Sequence, residues 1–564
     1  MDEKGPGDSD LKLLLLQHDL DESRLRNLRL RQSLLAPPYA QLRSLLRRHP
    51  GATAPVVRAL NLVSGTGTIN LHRRLLARLQ LPRDLRDVRN SGLFDAEWYR
   101  TAYPEVDRSG MDPLHHFVRV GAAHGLDPGP RFSTSYYIEH TPDAAAPGVN
   151  ALLHYVRFGR RRGNAIAPSA RDRQWLTITL QERFPNLRPL RVYESVRAVP
   201  RVSMVTDSIG AGSLFGGVGT AMILSTLLAA RMGRPLRVIT RAEPPVPGNY
   251  RTVMTANGIR WTGDVDFVFS PRELESGRMI DVTEHDVFVT TSWWTTWATR
   301  AARPPAGIVY IVQEDERRFY PEGDESIRCG EILDDPQIHY VANSKLLFDH
   351  LWPTARALRG RDVTWFEPAF PAFLEEREPA HAGKRRFLFY ARPNNLRNLY
   401  FRGIEAIAAA IEAGTLDPAE WEFLFIGKDL QPVALPQGVR PQLVENLDWH
   451  DYHVLLRRMD LGLSLMASPH PSYPPLDLAA AGAVVVTNTF GAHRRSLDRY
   501  SKNIIACEPD TASLASGIAR GAQLAGDLER RRANHRASTF ATDWNETLAP
   551  VCEHLASALT PDEA

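Results

Sequence analysis

Two bases stand where strand-like runs end. RRFLFYAR closes on Arg392 and WEFLFIGK closes on Lys428. If both runs lie parallel in one sheet, both cations arrive at its carboxyl edge, where open α/β sheets bind ligands. Two cations at one cleft match a diphosphate, through charge-assisted bonds and, for arginine, bidentate ones. A carboxylate joins them in LGLSLMASPHPSYPPLDLAAAGAVVVTN, residues 461–488, which reads as strand, rigid loop, helix and strand. Leu461 to Met466 and Ala483 to Val486 are apolar runs suited to buried strands. Pro469, Pro471, Pro474 and Pro475 each fix φ and withhold an amide donor, so the stretch from Ser468 to Tyr473 is irregular. Proline is tolerated at the first helical position, and the helix is predicted to open at Pro475. Asp477 then falls in the first turn, where the helix dipole favours negative charge. That preference alone would make Asp477 a helix-end carboxylate; a ligand role is the second reading.

Other polar groups collect after other strand-like runs. VSMVTD leads into SIGAGSLFGGVGTAMILSTLLAA, a glycine-rich loop entering an apolar helix. Gly210, Gly212, Gly216, Gly217 and Gly219 allow close backbone approach, and amides at a helix start suit a phosphate. Gln313, Glu314 and Glu316 follow the run GIVYIV, which predicts that they lie at the sheet edge and face the cleft. Trp293 and Trp294 offer faces on which a sugar can stack, or else fill the core. Two competing motifs are weaker. Gly210-Ala-Gly212 with Arg241 after the next strand is a near-match to a dinucleotide site, but Gly216 comes one residue late. Asp264-Val-Asp266 has the form of a metal-binding aspartate pair, yet Asp266 runs directly into a strand.

Positioning these groups takes alternating strands and helices. Runs at LRVITR, VDFVFS, DVFVTT and GIVYIVQ, separated by helical patterns, predict a parallel sheet with right-handed crossovers. The same alternation resumes from Lys384. ASLASGIARGAQLAGDLERRRANHRAS reads as one long helix, and DWNETLAPVCEHLASAL as a last helix that crosses back to the first sheet. Residues 94–163 hold a repeat with an offset of 38: FDAEWYRTAYPEVDRSGMDPLHHFVRVGAAHG is echoed by FSTSYYIEHTPDAAAPGVNALLHYVRFGRRRG. Each copy reads as two short helices, the second closed by a glycine cap. Trp98 and Tyr136 are expected in equivalent buried places, and His116 and His154 are expected in the core.

Between Arg24 and Arg83 the chain has twelve arginines and no acidic residue. Leucines interleave them, which suggests amphipathic helices with a cationic face. Such a face is either solvated or rests on an anionic membrane surface, where each base contributes about 1 kcal/mol. Apart from Tyr39, no aromatics are interleaved with these arginines, and the formal charge of +3 over 564 residues calls for no nucleic-acid partner. Three scattered cysteines indicate neither a disulfide framework nor a thiolate metal site, and they fit a reducing cytoplasm. The start, MDEKGPGDSD, is unlike a signal peptide, and no apolar run approaches the ~18 residues of a membrane span.

HPSYPPLDLAAAG resembles the C-terminal signature of rhamnan-synthesis-type rhamnosyltransferases of glycosyltransferase family 4. FGGVGTA, TTSWWTTW, YIVQEDERRFYP, VANSK and YARPNN resemble the same group, in the expected order. The resemblance implies an α/β protein of GT-B fold: two doubly wound Rossmann-like domains facing a cleft, preceded by α-helical modules. The expected plan is a basic helical region over 1–90, the two repeats over 91–168, an acceptor domain over 190–375, a nucleotide-sugar domain over 376–545, and a returning helix over 546–564. It also implies that Asp477, aspartate where relatives carry glutamate, accepts hydrogen bonds from ribose hydroxyls. Arg392, loop amides at Gly216 and Gly217, and Glu314 (aspartate in relatives) would serve catalysis. Lys428, Asn394, His470, Ser472, Tyr473, Gln313, Trp293 and Trp294 would bind substrate. Pro469 stands where many members of the wider family have a second glutamate.

The implied donor is a nucleoside-diphosphate sugar, such as dTDP-rhamnose, with no metal and no other cofactor. The acceptor would be an oligosaccharide or lipid-linked glycan, and transfer would retain anomeric configuration. The expected place is the cytoplasm, with peripheral contact at the inner face of the plasma membrane. Two other classes remain open at this point: a glycan-binding scaffold with a decayed site, and a nicotinamide-dependent oxidoreductase.

Overall fold

The computed structural model describes residues 69–146, 149–167, 175–210, 214–272, 279–302, 307–359, 364–371, 383–445, 447, 449–491 and 493–560. The chain divides into two units, residues 1–92 and 93–564. In the first, the described part is helix α1 (Ile69–Asn90), with Pro82 inside it. The arginines from Arg24 to Arg58 lie outside the described residues.

The second unit opens with the repeat. One copy carries α2 (Ala96–Ala102) and α3 (Pro113–Arg119); the other carries α4 (Thr134–His140) and α5 (Ala151–His154). A short extra turn separates the two helices in each. Contacts recur at the sequence offset. Asp95 and Ser133 cap α2 and α4, while Asp112 and Asn150 cap α3 and α5. The Tyr99 hydroxyl meets His116 Nδ1 at 3.0 Å, and the Tyr137 hydroxyl meets His154 Nδ1 at 2.9 Å. Gly125 and Gly163 close the copies at φ +73° and +71°. Trp98 and Tyr136 do occupy matching places, but both are only half-buried; the fully buried aromatics are their neighbours Tyr99 and Tyr137.

Next comes a parallel sheet of seven strands: β2 (Val202–Thr206), β3 (Leu236–Thr240), β4 (Val265–Phe269), β6 (Val287–Thr290), β7 (Ile308–Val312), β8 (His339–Asn343) and β9 (Thr364–Phe366). Their spatial order is β4-β3-β2-β6-β7-β8-β9. A separate parallel pair joins β1 (Val192–Glu194) to β5 (Ile280–Val282). The second sheet holds β10 (Arg385–Ala391), β11 (Trp421–Gly427), β12 (Gln442–Glu445), β13 (Leu461–Ser464), β14 (Val484–Asn488) and β15 (Ile504–Cys507), in the order β12-β11-β10-β13-β14-β15 and all parallel. In each sheet the strand order reverses beside its first strand, β2 or β10. The crevice at such a switch point is where doubly wound sheets take ligands.

Helices cover both sheets: α6 (Gly219–Met232), α7 (Trp293–Arg300), α8 (Tyr400–Glu412), α9 (Trp449–Arg457), α10 (Tyr473–Ala480), α11 (Thr511–Gly526) and α12 (Trp544–Leu559). Residues 219–229 are nearly all buried because α6 is clamped between its sheet and α12. Trp544, Leu548, Val551 and Leu555 enter the first domain's core, so the last helix does cross back, and it starts at Trp544. Each fully buried side chain of this size contributes about 1.5–3 kcal/mol. The single long helix expected before it is two, broken at Asp527, whose side chain caps the second (Leu528–Arg536). The architecture is two doubly wound parallel α/β domains about a cleft, the GT-B arrangement, with helical modules ahead.

Candidate active site

β10 and β11 are neighbours, so the residues that follow them emerge side by side. Gly427 ends β11 where a Cβ would lie 1.7 Å from the Ala391 carbonyl oxygen, so only glycine lets the strands run this close. Arg392 and Lys428 both line one cavity of about 620 Å³ between the two domains. Tyr390, the penultimate residue of β10, accepts a hydrogen bond from the Arg392 side chain; burial raises its hydroxyl pKa.

Asp477 lines the same cavity, on α10. This helix starts two residues earlier than expected, at Tyr473, because Pro474 and Pro475 both fit its first turn. Asp477 therefore sits in the second turn and leaves the helix dipole's strongest reach. It is 9% exposed, and its Oδ2 accepts a bond from the Tyr452 hydroxyl at 3.1 Å. Burial pushes this carboxyl up to about 7, only partly opposed by the Tyr452 bond.

The other domain supplies the glycine loop and the residues packed on it. Gly216 has φ +83°, and a Cβ there would stand 3.1 Å from the Tyr473 ring. The Tyr473 hydroxyl lies 2.5 Å from Thr220 Oγ1 and accepts from Asn343 Nδ2 at 2.8 Å. Gln313 Nε2 donates to the Gly217 carbonyl at 2.7 Å. Gly216, Gly217, Gln313 and Tyr473 all line the cavity, so the glycine loop and the proline-rich loop meet there. Residues 211–213 of the loop lie outside the described residues.

The proline-rich loop after β13 owes its shape to a residue that the sequence reading did not single out. Arg494 is fully buried, and its Nη1 donates to the carbonyls of Met466, Ser468 and His470 at 2.9, 3.0 and 2.9 Å. Its Nη2 donates to Thr487 Oγ1 at 3.0 Å. Burial draws its guanidinium down to about 10, still charged at neutral pH. Ser472 and His470 reach the cavity from this loop.

Several expected residues lie elsewhere. Glu314 turns to the second domain: one oxygen accepts from Ser468 Oγ, and the other accepts from Arg397 Nη1 at 2.9 Å. It is an interdomain strut outside the cavity lining, and burial raises its carboxyl pKa despite Arg397. Glu316 does not face the cleft either. Its Oε2 accepts from the Trp293 N–H at 2.6 Å and the Tyr310 hydroxyl at 2.7 Å, and burial pushes it up to about 8. Trp293 is a core residue whose indole donates to the Tyr320 hydroxyl; the Trp294 indole donates to Asp207 Oδ2. Neither ring lines the cavity, because the Ser292–Thr295 capping box sets α7 down on the sheet. Asn394 is exposed, while Asn398, four residues on, reaches the cavity.

The competing motifs are engaged as well. Arg241 is buried with Nη2 on the Arg188 carbonyl at 2.9 Å, which removes it as a partner for a 2′-phosphate. Asp266 accepts from Arg237 Nε at 2.9 Å. Among the described residues no helix is long and apolar enough to cross a membrane.

Residues 201–328 match the family model of the WsaF N-terminal domain, and residues 385–519 match that of the WsaF C-terminal domain. The O-antigen biosynthesis protein RfbC of Myxococcus xanthus is 29% identical over 369 residues, 64% of this chain and 28% of that protein. The chain thus spans little more than a quarter of that curated relative. Among solved structures, HepE of Anabaena in complex with UDP-glucose is 14% identical with a TM-score of 0.45, covering 63% of this chain and 99% of that one. A glycosyltransferase of Rickettsia africae is 13% identical with a TM-score of 0.42, covering 65% of this chain and 100% of that one.

Proposed function

We propose that the protein is a glycosyltransferase that moves a deoxysugar, rhamnose, from a nucleoside-diphosphate donor to a growing bacterial polysaccharide. The observation that carries this reading is one cavity lined at once by Arg392, Lys428, Asp477 and the other domain's glycine loop. The motif resemblance and the WsaF domain matches support the substrate class. Arg392 and Lys428 take the diphosphate, and their charge meets the negative charge that grows on it as the sugar departs. Preorganised donors of this kind are often the largest catalytic contribution, and they do here the work a metal ion does elsewhere. Asp477, ionised, accepts from the ribose hydroxyls.

Glu314 spends both oxygens on Ser468 and Arg397, so it offers no nucleophile to the sugar. If transfer retains configuration, as the resemblance implies, it then goes by the front face rather than through a covalent intermediate on Glu314. The acceptor, a glycan or lipid-linked glycan, enters over the first domain. There Glu243 lines the cavity and accepts from Ser208 Oγ at 2.6 Å. The arginine-rich region ahead of the repeats would hold the protein against an anionic inner membrane surface.

A thermal-shift screen of nucleoside diphosphates and their sugars tests the reading, since a ligand at 100 times its Kd stabilises by about 2.7 kcal/mol. Stabilisation by dTDP-rhamnose, with transfer of labelled sugar to a glycan acceptor, is expected. Binding without transfer or hydrolysis would instead identify a glycan-binding scaffold. No response to any nucleotide refutes the glycosyltransferase reading.

A further inference from the structure

His470 is 6% exposed and lines the cavity, with its ring 5.9 Å from that of Tyr473. Its Nδ1 lies 3.0 Å from the Ser472 backbone N–H. An amide N–H only donates, so Nδ1 accepts, and the proton of the neutral ring is on Nε2. The ring stays neutral across the working pH range, because burial and the Arg494 and Arg397 guanidiniums push it down to about 3. Nε2 is buried and has no hydrogen-bond partner among the described residues. The loop thus presents a fixed N–H donor with nothing to donate to.

The surroundings select the acceptor. A helix start normally offers amides to a phosphate, but Pro474 and Pro475 occupy the first turn of α10 and have none. Arg494 draws three loop carbonyls onto itself, which removes acceptors from that side and adds positive charge behind the loop. An anion fits this setting better than a hydroxyl that needs an acceptor.

Resting on the glycosyltransferase reading, we infer that His470 is a catalytic residue whose Nε2–H donates to the sugar-side phosphate of a nucleoside diphosphate, replacing the amides that Pro474 and Pro475 withhold. In the transfer, the bond from the anomeric carbon to the phosphate oxygen breaks and its electron pair stays on that oxygen. The acceptor hydroxyl oxygen bonds the anomeric carbon, and its proton passes to the departing diphosphate. His470 keeps its own proton throughout and holds the oxygen as charge accumulates.

The test compares thymidine mono- and diphosphate binding by calorimetry, using the full chain and its His470→Ala and His470→Gln variants. The second phosphate should add affinity in the parent. His470→Ala should lose roughly tenfold of that gain with monophosphate affinity unchanged, and His470→Gln, which keeps an N–H donor, should recover most of it. An undiminished gain in His470→Ala overturns the inference. So does an equal fall in mono- and diphosphate affinity, which would mark His470 as a loop-shaping residue. A parent that binds neither nucleotide, or gains nothing from the second phosphate, overturns the glycosyltransferase reading and this inference with it.

Discussion

Replacing Asp477 by asparagine should stabilise the empty protein while damaging its binding of nucleotide. The carboxyl is buried against the Tyr452 hydroxyl and is pushed from the usual 3.8 up to about 7. Below pH 4 folded and unfolded chains both carry the proton, and Asp477 contributes no pH dependence. As pH rises from 4 to 7 the unfolded chain ionises first, so the parent loses stability until the folded carboxyl also ionises near 7. A rise of that size corresponds to about 4 kcal/mol at roughly 1.4 kcal/mol per pH unit. Rearrangement around a group at a cavity wall reduces the expected effect to about 1–3 kcal/mol.

Asparagine keeps an oxygen for Tyr452 and never ionises. The variant should therefore melt at the parent's temperature near pH 4 and several degrees higher at pH 8, at roughly 2–4 °C per kcal/mol in a domain of this size. Melts of both proteins across pH 4–8.5, without nucleotide, give the difference directly. Glu316, pushed up to about 8, acts equally in both and cancels. At pH 8 the same variant should bind nucleoside diphosphate more weakly by about 1–3 kcal/mol, the worth of a charge-assisted bond. A melting difference that does not change with pH, or a variant less stable at pH 8, refutes the reasoning.

Arg392→Ala should lower turnover more than nucleotide affinity, because the charge it meets grows as the sugar leaves; initial rates and calorimetry on one preparation separate the two. Gly216→Ala should cost about 1–3 kcal/mol, since φ is +83° and the new methyl meets the Tyr473 ring, and a melt measures it. Arg397→Ala should destabilise by about 1–3 kcal/mol by removing one of the two guanidiniums, with Arg494, that favour the Glu314 charge, and adding Glu314→Gln should recover much of the loss in a double-mutant cycle. If the N-terminal arginines rest on a membrane, the protein should co-sediment with anionic vesicles and release as salt rises; equal partition to neutral vesicles would count against it.

Much of the architecture was legible because strand, helix and ligand edge leave local marks. Each apolar run that ends on Arg392 or Lys428 is a strand whose next residue must reach the carboxyl edge, and the structure puts both in one cavity. The repeat was readable because its caps, Tyr–His pairs and closing glycines recur at a constant offset. What escaped the sequence depends on partners far along the chain. Arg494 sits in a polar stretch that reads as surface, yet it gathers carbonyls from 24 to 28 residues away. Glu314 and Gln313 are adjacent, but one reaches across to the other domain and one to the glycine loop. Trp293 and Trp294 look like ligand platforms until the capping box at Ser292 sets their helix onto the core. The start of α10 was misjudged because two consecutive prolines satisfy a helix opening at Tyr473 as well as one at Pro475.

The return of α12 to the first domain bears on the order in which the chain matures. Most of the second domain's core lies between Arg385 and Arg536, with Leu346 and Phe370 made earlier and Phe540 close behind, so that domain can close soon after this stretch has emerged. The first domain cannot. Its α6 is nearly complete at Met232, but the surface that receives Trp544, Leu548 and Leu555 stays bare for about 300 further residues, roughly 15–60 s at ~5–20 residues per second. The earlier-made half is thus the later-finished one. During that interval its exposed apolar face is a ready substrate for chaperones, or for the same face on a neighbouring nascent chain.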